Sequence, residues 1–193
     1  MKSIILASQS PRRKMLLEWA EVPFEVVVKS TDESFPESLE IEEVPVFIAR
    51  EKALTVRKHL QEAYHGEYAD RTILAADTIV VLNNEIIGKP ADRDQALETL
   101  KKLSGQTHRV ITGVVILSGK SEIAFADITS VSFNTLKEDQ IAFYVDKYQP
   151  YDKAGAYAIQ EWIGVIGIQS INGDFYNVMG LPVSRVVKAL QEL

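Results

Sequence analysis

The chain has 193 residues, 46% hydrophobic and 25% charged, proportions that suit one globular domain over residues 1–193. Its formal charge of −6 argues against a polynucleotide partner, which would need a basic face, and zero cysteines exclude disulfides, thiolate metal sites and a cysteine nucleophile. No stretch reaches the roughly 18 apolar residues of a membrane span, and Ile4-Ile5-Leu6-Ala7 is shorter than the ~7–15 residues of a signal-peptide core, so neither a membrane partner nor export is expected.

In chain order, residues 3–7 predict a buried strand. Ser10 caps, and Pro11 begins, a helix to about Ala20. Residues 24–28 predict a strand, then an acidic, irregular stretch follows from Ser30 to Glu40. Helical spacing returns from about Val44 to Leu60. The β-branched run 72–82 predicts a long strand that Asn83-Asn84 turns into a hairpin with Glu85-Ile86-Ile87. Asp92 predicts the cap of a helix to Leu103, with Gly105 beyond its end. Strands follow over 108–117 and 121–134, joined near Ser118-Gly119-Lys120. Thr135-Leu136-Lys137-Glu138 has the spacing of a capping box, which predicts a helix through about Val145. A further strand-rich stretch leads to Gly180-Leu181-Pro182 and a last helix. This alternation of strands and helices predicts an α/β fold.

Two places in this pattern favour anions or acid–base chemistry. In Ser8-Gln9-Ser10-Pro11-Arg12-Arg13, a strand ends and a helix begins, so unpaired backbone N–H groups and two guanidinium forks suit phosphate oxygens. The alternative is that Arg12 and Arg13 are solvated helix residues. Asp77 and Thr78 interrupt an apolar strand, and a carboxylate buried there needs a cation, a metal or several donors. Asp77 is therefore a candidate metal ligand or general base, and the sequence leaves both open.

Other groups carry weaker signals. Lys52 reads by itself as an exposed, salt-bridged helix residue. Lys89 lies on the loop that ends the hairpin, and Lys153 in Asp152-Lys153-Ala154-Gly155. Glu33 lies in the acidic loop. Gln160 could read a base edge or complete a strand. His59, His65 and His108 show no close pairing of the kind zinc sites use, and His108 reads as an ordinary strand residue.

Taken together, Ser8-Gln9-Ser10-Pro11-Arg12-Arg13, Arg50-Glu51-Lys52-Ala53, Ala76-Asp77-Thr78, Gly88-Lys89-Pro90, Leu103-Ser104-Gly105-Gln106-Thr107-His108, Asp152-Lys153-Ala154-Gly155-Ala156-Tyr157 and Asn177-Val178-Met179-Gly180-Leu181-Pro182 resemble the Maf family of nucleoside triphosphate pyrophosphatases. The match runs in order over nearly the whole chain. The resemblance implies an elongated mixed sheet flanked by helices, with two lobes around a cleft, related to the inosine-triphosphate pyrophosphatases. It also implies hydrolysis of a nucleoside triphosphate to the monophosphate and pyrophosphate, a divalent cation (Mg, Mn or Co), a cytoplasmic location, and a homodimer as the common oligomer. By matching position, Asp77 is the proton acceptor; Arg12, Thr78 and Gln160 are specificity positions. Ser8, Arg13, Lys52, Lys89 and Lys153 line the triphosphate, with Glu33 and Asp77 at the metal. Thr78 with Gln160 resembles the subgroup acting on dTTP and UTP, whereas the sister subgroup acting on 7-methyl-GTP usually has Gln where Thr78 stands.

The chemistry agrees with the residues. Hydrolysis of a triphosphate calls for Arg, Lys and a metal to neutralise spreading charge, and for a carboxylate to activate water. A different class of function is a nucleotide-binding regulator that arrests septum formation without turnover, a role linked to the same family. Mere binding, however, would not call for a carboxylate beside phosphates.

Overall fold

Residues 2–63 and 71–193 are described in the computed structural model, so His65 lies outside the described residues. They contain strands β1 (Ile4–Leu6), β2 (Phe24–Val26), β3 (Ile73–Leu82), β4 (Glu85–Ile87), β5 (Thr107–Ser118), β6 (Ser121–Phe133) and β7 (Ile168–Asn172). These form a sheet in the order β2-β1-β3-β5-β6-β7, with β4 paired to β3. Parallel pairs (β1 with β2 and β3) and antiparallel pairs (β3 with β4, β6 with β7) make it a mixed sheet. The chain divides into two compact units, residues 1–77, 112–127 and 180–193 in the first, and 78–111 and 128–179 in the second. No helix among the described residues is long and apolar enough to cross a membrane.

In the first unit, β1 leads into helix α1 (Pro11–Trp19) as expected, with Ser10 Oγ accepting the N–H of Arg13 at 3.5 Å. The strand predicted over 24–28 is the shorter β2, because its partner β1 ends at Leu6, opposite Val26, and the Val27 N–H makes the last bond, to Leu6 O at 3.2 Å. Helix α2 (Val44–Ala63) carries Ala49, Ala53, Val56 and Leu60 at helical spacing. They pack on Ile5 of β1, Ile73 and Ala75 of β3, and Val115 and Leu117 of β5. Gly113 of β5 permits this approach, since a Cβ there would stand 2.2 Å from the Pro45 carbonyl carbon. The close seat of α2 on the sheet fixes where Lys52 can reach.

In the second unit, Asn83 and Asn84 take φ of 51° and 63° and close the β3–β4 hairpin. Asp92 Oδ1 accepts the Gln95 N–H at 2.9 Å and caps helix α3 (Arg93–Leu103). Helix α4 (Glu138–Tyr148) starts later than the Thr135 capping box predicts. Ser104 Oγ takes the Leu136 N–H at 2.7 Å and Leu136 is buried, so residues 134–137 stay out of the helix. Gln140 Oε1 then accepts the Lys137 N–H at 2.9 Å. Arg93 grips Asp146 through two bonds of 2.6 and 3.1 Å and ties α3 to α4.

The strand-rich stretch expected before Gly180 is overturned for most of its length. It holds a single turn at Ala154–Ala156, helix α5 (Trp162–Gly167), β7, and helix α6 (Phe175–Met179). At Gly164 the chain folds so tightly that a Cβ would lie 1.8 Å from the Ile159 carbonyl oxygen, which leaves no room for a side chain at that point. Helix α7 (Val183–Gln191) completes the chain's regular structure, in the first unit.

Candidate active site

Because β1 and β3 run parallel with Leu6 opposite Leu74, their carboxyl ends point the same way. Open α/β sheets place ligands outside such ends. Ser8 follows the end of β1, and Ala76 and Asp77 lie in the middle of β3, just past its parallel pairing with β1. The buried Arg13 guanidinium ties these strands together. Its Nε donates to Gly180 O (2.8 Å), and its Nη1 to Ala76 O (2.7 Å) and Ser8 Oγ (3.1 Å). Burial pulls its pKa down, Asp77 opposes that shift, Arg12 adds to it, and Glu33 opposes it. Nε and Nη1 thus hold the protein's own main chain, a duty that its place in the helix turn does not reveal. Arg12 is half-buried on the same turn.

Asp77 has the cation that its apolar surroundings demand. Lys52 Nζ, from α2, lies 2.7 Å from Asp77 Oδ1, and equally 2.7 Å from Glu33 Oε1. The Lys52 and Asp77 side chains are only 18% and 14% exposed, while Glu33 is 50% exposed. Lys52 is therefore not the solvated helix residue that its local sequence suggests. Its ammonium joins a loop carboxylate to a strand carboxylate inside the first unit.

The remaining candidates belong to the second unit. Thr78 is half-buried on β3, and Lys89 and Gln160 are exposed. The Gly155 N–H donates to Gly88 O at 3.2 Å, which joins the loops carrying Lys153 and Lys89. Lys153 is buried, with Nζ 2.8 Å from Asp152 Oδ1 and 3.7 Å from Glu161 Oε1. His108 is no catalyst: it is buried, its Nε2 lies 2.7 Å from the Tyr157 hydroxyl, and desolvation lowers its pKa from 6.5 to about 4.

The donor set fits a hard divalent cation. Glu33 and Asp77 already direct one oxygen each at a shared positive charge, and oxygen ligands suit Mg²⁺, which is commonly held by one or two carboxylates plus phosphates and waters. Among the described residues no cluster of three or more Asp, Glu or His could hold a metal alone, so a cation at this pair would need phosphate or water oxygens to complete its coordination. Sequence reasoning passed over Tyr144 and Glu161, which brace the Gln160 segment. A tyrosine on a helix and a glutamate in a turn carry no local signal of that task.

The sequence pattern of the Maf-like protein family matches residues 3–193. The chain is 46% identical to a dTTP/UTP pyrophosphatase of Cytophaga hutchinsonii, over 98% of this chain and 84% of that relative. It is 47% identical to a dTTP/UTP pyrophosphatase of Parabacteroides distasonis, over 97% and 94%, and 45% identical to one of Bacteroides fragilis, over 98% and 95%. In fold it is similar to the Staphylococcus aureus Ham1 protein, with a TM-score of 0.52 at 18% identity, over 99% of this chain and 98% of that one.

Proposed function

The chain belongs to the Maf-like protein family, and from that premise we propose that it is a nucleoside triphosphate pyrophosphatase that hydrolyses dTTP and UTP to the monophosphate and pyrophosphate. The observation that carries the hydrolytic reading is the Asp77 carboxylate, held on Lys52 in the middle of β3, just past the strand's parallel pairing with β1. In this reading Asp77 takes the proton of the attacking water, whose oxygen displaces pyrophosphate from the nucleoside monophosphate. Lys52 orients Asp77 and carries positive charge toward the phosphates. Lys89 and Lys153 add charge against the triphosphate, and Ser8 and the first turn of α1 add donors.

Glu33 and Asp77 would hold the divalent cation (Mg, Mn or Co), which would supply positive charge against phosphate oxygens. Arg13 acts by fixing Ser8 and the Ala76 carbonyl next to Asp77. Thr78 and Gln160 read the pyrimidine, and Arg12 is a third specificity position. Residues 1–193 act as one catalytic domain, cytoplasmic and homodimeric in the same reading, and work in nucleotide-pool cleaning.

A regulator of septum formation acting without turnover has no use for the Asp77–Lys52 pair. The test is a pyrophosphate-release screen over canonical and modified triphosphates with Mg²⁺, Mn²⁺ or Co²⁺. Release from dTTP and UTP is expected; release from none of them would refute the proposal.

A further inference from the structure

Tyr144 is fully buried on α4, a helix that carries none of the proposed site residues. Its hydroxyl accepts the Ala158 N–H at 3.1 Å and donates to Glu161 Oε2. The same stretch is closed by a backbone bond from the Glu161 N–H to Ala158 O, at 3.1 Å, so Ala158-Ile159-Gln160-Glu161 forms a tight turn. One phenol thus holds both ends of the turn, with Gln160 between its two attachment points. The other carboxylate oxygen of Glu161 lies 3.7 Å from Lys153 Nζ, which links the turn to the preceding lysine.

A hydroxyl used as donor and acceptor at once has both partners fixed, and here both are buried or half-buried. The exposed Gln160 side chain therefore leaves a backbone tethered at both ends of its turn. This matters for reading a base edge. Uracil and cytosine have nearly the same size but inverted donor and acceptor positions, and a carboxamide offers both an oxygen and an NH₂. A turn free to shift lets the amide reach either base edge at several positions, whereas a fixed turn presents it at one position and limits the pairings open to it.

We propose that Tyr144, through its bonds to Ala158 and Glu161, is a positioning residue for pyrimidine selection, holding the Gln160 turn in the register that distinguishes uracil from cytosine without touching the nucleotide. This rests on the reading that Gln160 contacts the base, and the experiment separates the two. kcat/KM for UTP and for CTP is measured on wild type, Tyr144→Phe, Glu161→Leu, Glu161→Gln and Gln160→Ala, with hydrogen exchange of residues 153–161 followed in parallel.

Tyr144→Phe keeps the ring and deletes both bonds, so the UTP/CTP ratio should fall by about fivefold or more, with faster exchange confined to the turn. Glu161→Leu should do the same, and Glu161→Gln, which retains an acceptor for the phenol, should restore the ratio. Adding Tyr144→Phe to Gln160→Ala should lower the ratio no further, because the two act through one contact. If Gln160→Ala lowers the ratio but Tyr144→Phe slows UTP and CTP equally, the positioning role is overturned and the base-contact reading stands. If Gln160→Ala leaves the ratio at the wild-type value, that reading fails and this inference falls with it. Should Tyr144→Phe not fold, the Glu161→Leu and Glu161→Gln pair decides alone: equal ratios in the two overturn the proposal.

Discussion

Lys52 and Asp77 are 25 positions apart in sequence, yet the lysine ammonium donates to the aspartate carboxylate over 2.7 Å. The contact exists because α2 seats its small residues Ala49 and Ala53 on Ala75 of β3, which brings the helix close enough for the lysine to reach one residue past Ala76. A charge pair removed from most solvent is costly to break, since the survivor keeps its desolvation penalty. Replacing one partner while keeping its shape is therefore the cleaner probe.

Asp77→Asn keeps the shape and a hydrogen-bond acceptor for Lys52 but removes the proposed proton acceptor. A general base typically contributes ~10²–10⁴-fold, so kcat should fall by about 10²-fold or more. Nucleotide binding should persist, because repulsion between the carboxylate and the triphosphate is relieved. Turnover near the wild-type rate would remove Asp77 from the mechanism.

Lys52→Met leaves Asp77 and Glu33 without their shared cation. Two carboxylates that have lost an ammonium should hold a divalent ion more tightly, so Mn²⁺ affinity in the absence of nucleotide should rise by about tenfold, read by calorimetry, while kcat/KM falls. Unchanged or weaker Mn²⁺ binding would mean that Glu33 and Asp77 do not meet at a metal.

Arg13→Ala and Lys89→Ala separate two kinds of cation. Arg13 serves the Gly180 and Ala76 carbonyls and Ser8, and buried groups left unsatisfied cost ~1–3 kcal/mol each. Arg13→Ala should therefore cost roughly 2–5 kcal/mol, a drop in Tm of about 5–15 °C, as well as activity. Lys89 is exposed, so its alanine variant should raise KM and leave the melting curve in place. Equal melting temperatures for the two variants would contradict the strut role of Arg13.

What could be read from the sequence here was what neighbours along the chain decide. Ser10 and Asp92 cap helices, and Asn83-Asn84 turns a hairpin, through contacts within four residues, and each is where the sequence puts it. Asp77 was legible because a charge in an apolar run violates the pattern around it. Lys52 was not, since its partners come from another strand and a distant loop. The capping box at Thr135 was outcompeted by Ser104, which is 32 positions from Leu136. Arg13 was marked as an anion binder by its place at a helix N-terminus, but its bond to Gly180 spans 167 positions and no local signal announces it.

His108 makes stability depend on pH. The ring is buried against Phe133 and Tyr157, and desolvation lowers its pKa from 6.5 to about 4. Between those values the unfolded chain binds a proton that the folded chain refuses, so stability is full above pH 6.5 and declines as pH falls toward 4. The decline amounts to about 3 kcal/mol. Carboxylates titrate in the same range, so the readout is the difference between wild type and His108→Gln in melting temperature across pH 4–7. The variant should show the shallower slope; parallel slopes would show that His108 gains no proton on unfolding.

Base selection gives the sharpest outcome. Thr78 and Gln160 are proposed to meet the carbonyls and imide N–H of uracil or thymine with a hydroxyl and an amide. A site built to pair such groups rejects a base that leaves them unpaired, at ~1–3 kcal/mol for each buried group. dTTP and UTP should therefore exceed dCTP, ATP and GTP in kcat/KM by at least roughly tenfold, since ~1.4 kcal/mol is one decade. Purines differ in bulk as well as in edge, so their rejection alone says little about hydrogen bonding. CTP decides, because N3 and the exocyclic amine invert the pattern of uracil with almost no change in size. Equal rates for CTP and UTP would refute readout of the base edge while leaving pyrophosphate release intact. A preference for 7-methyl-GTP would instead assign Thr78 a different partner, and a Thr78→Gln variant would then be expected to strengthen that preference, not create it.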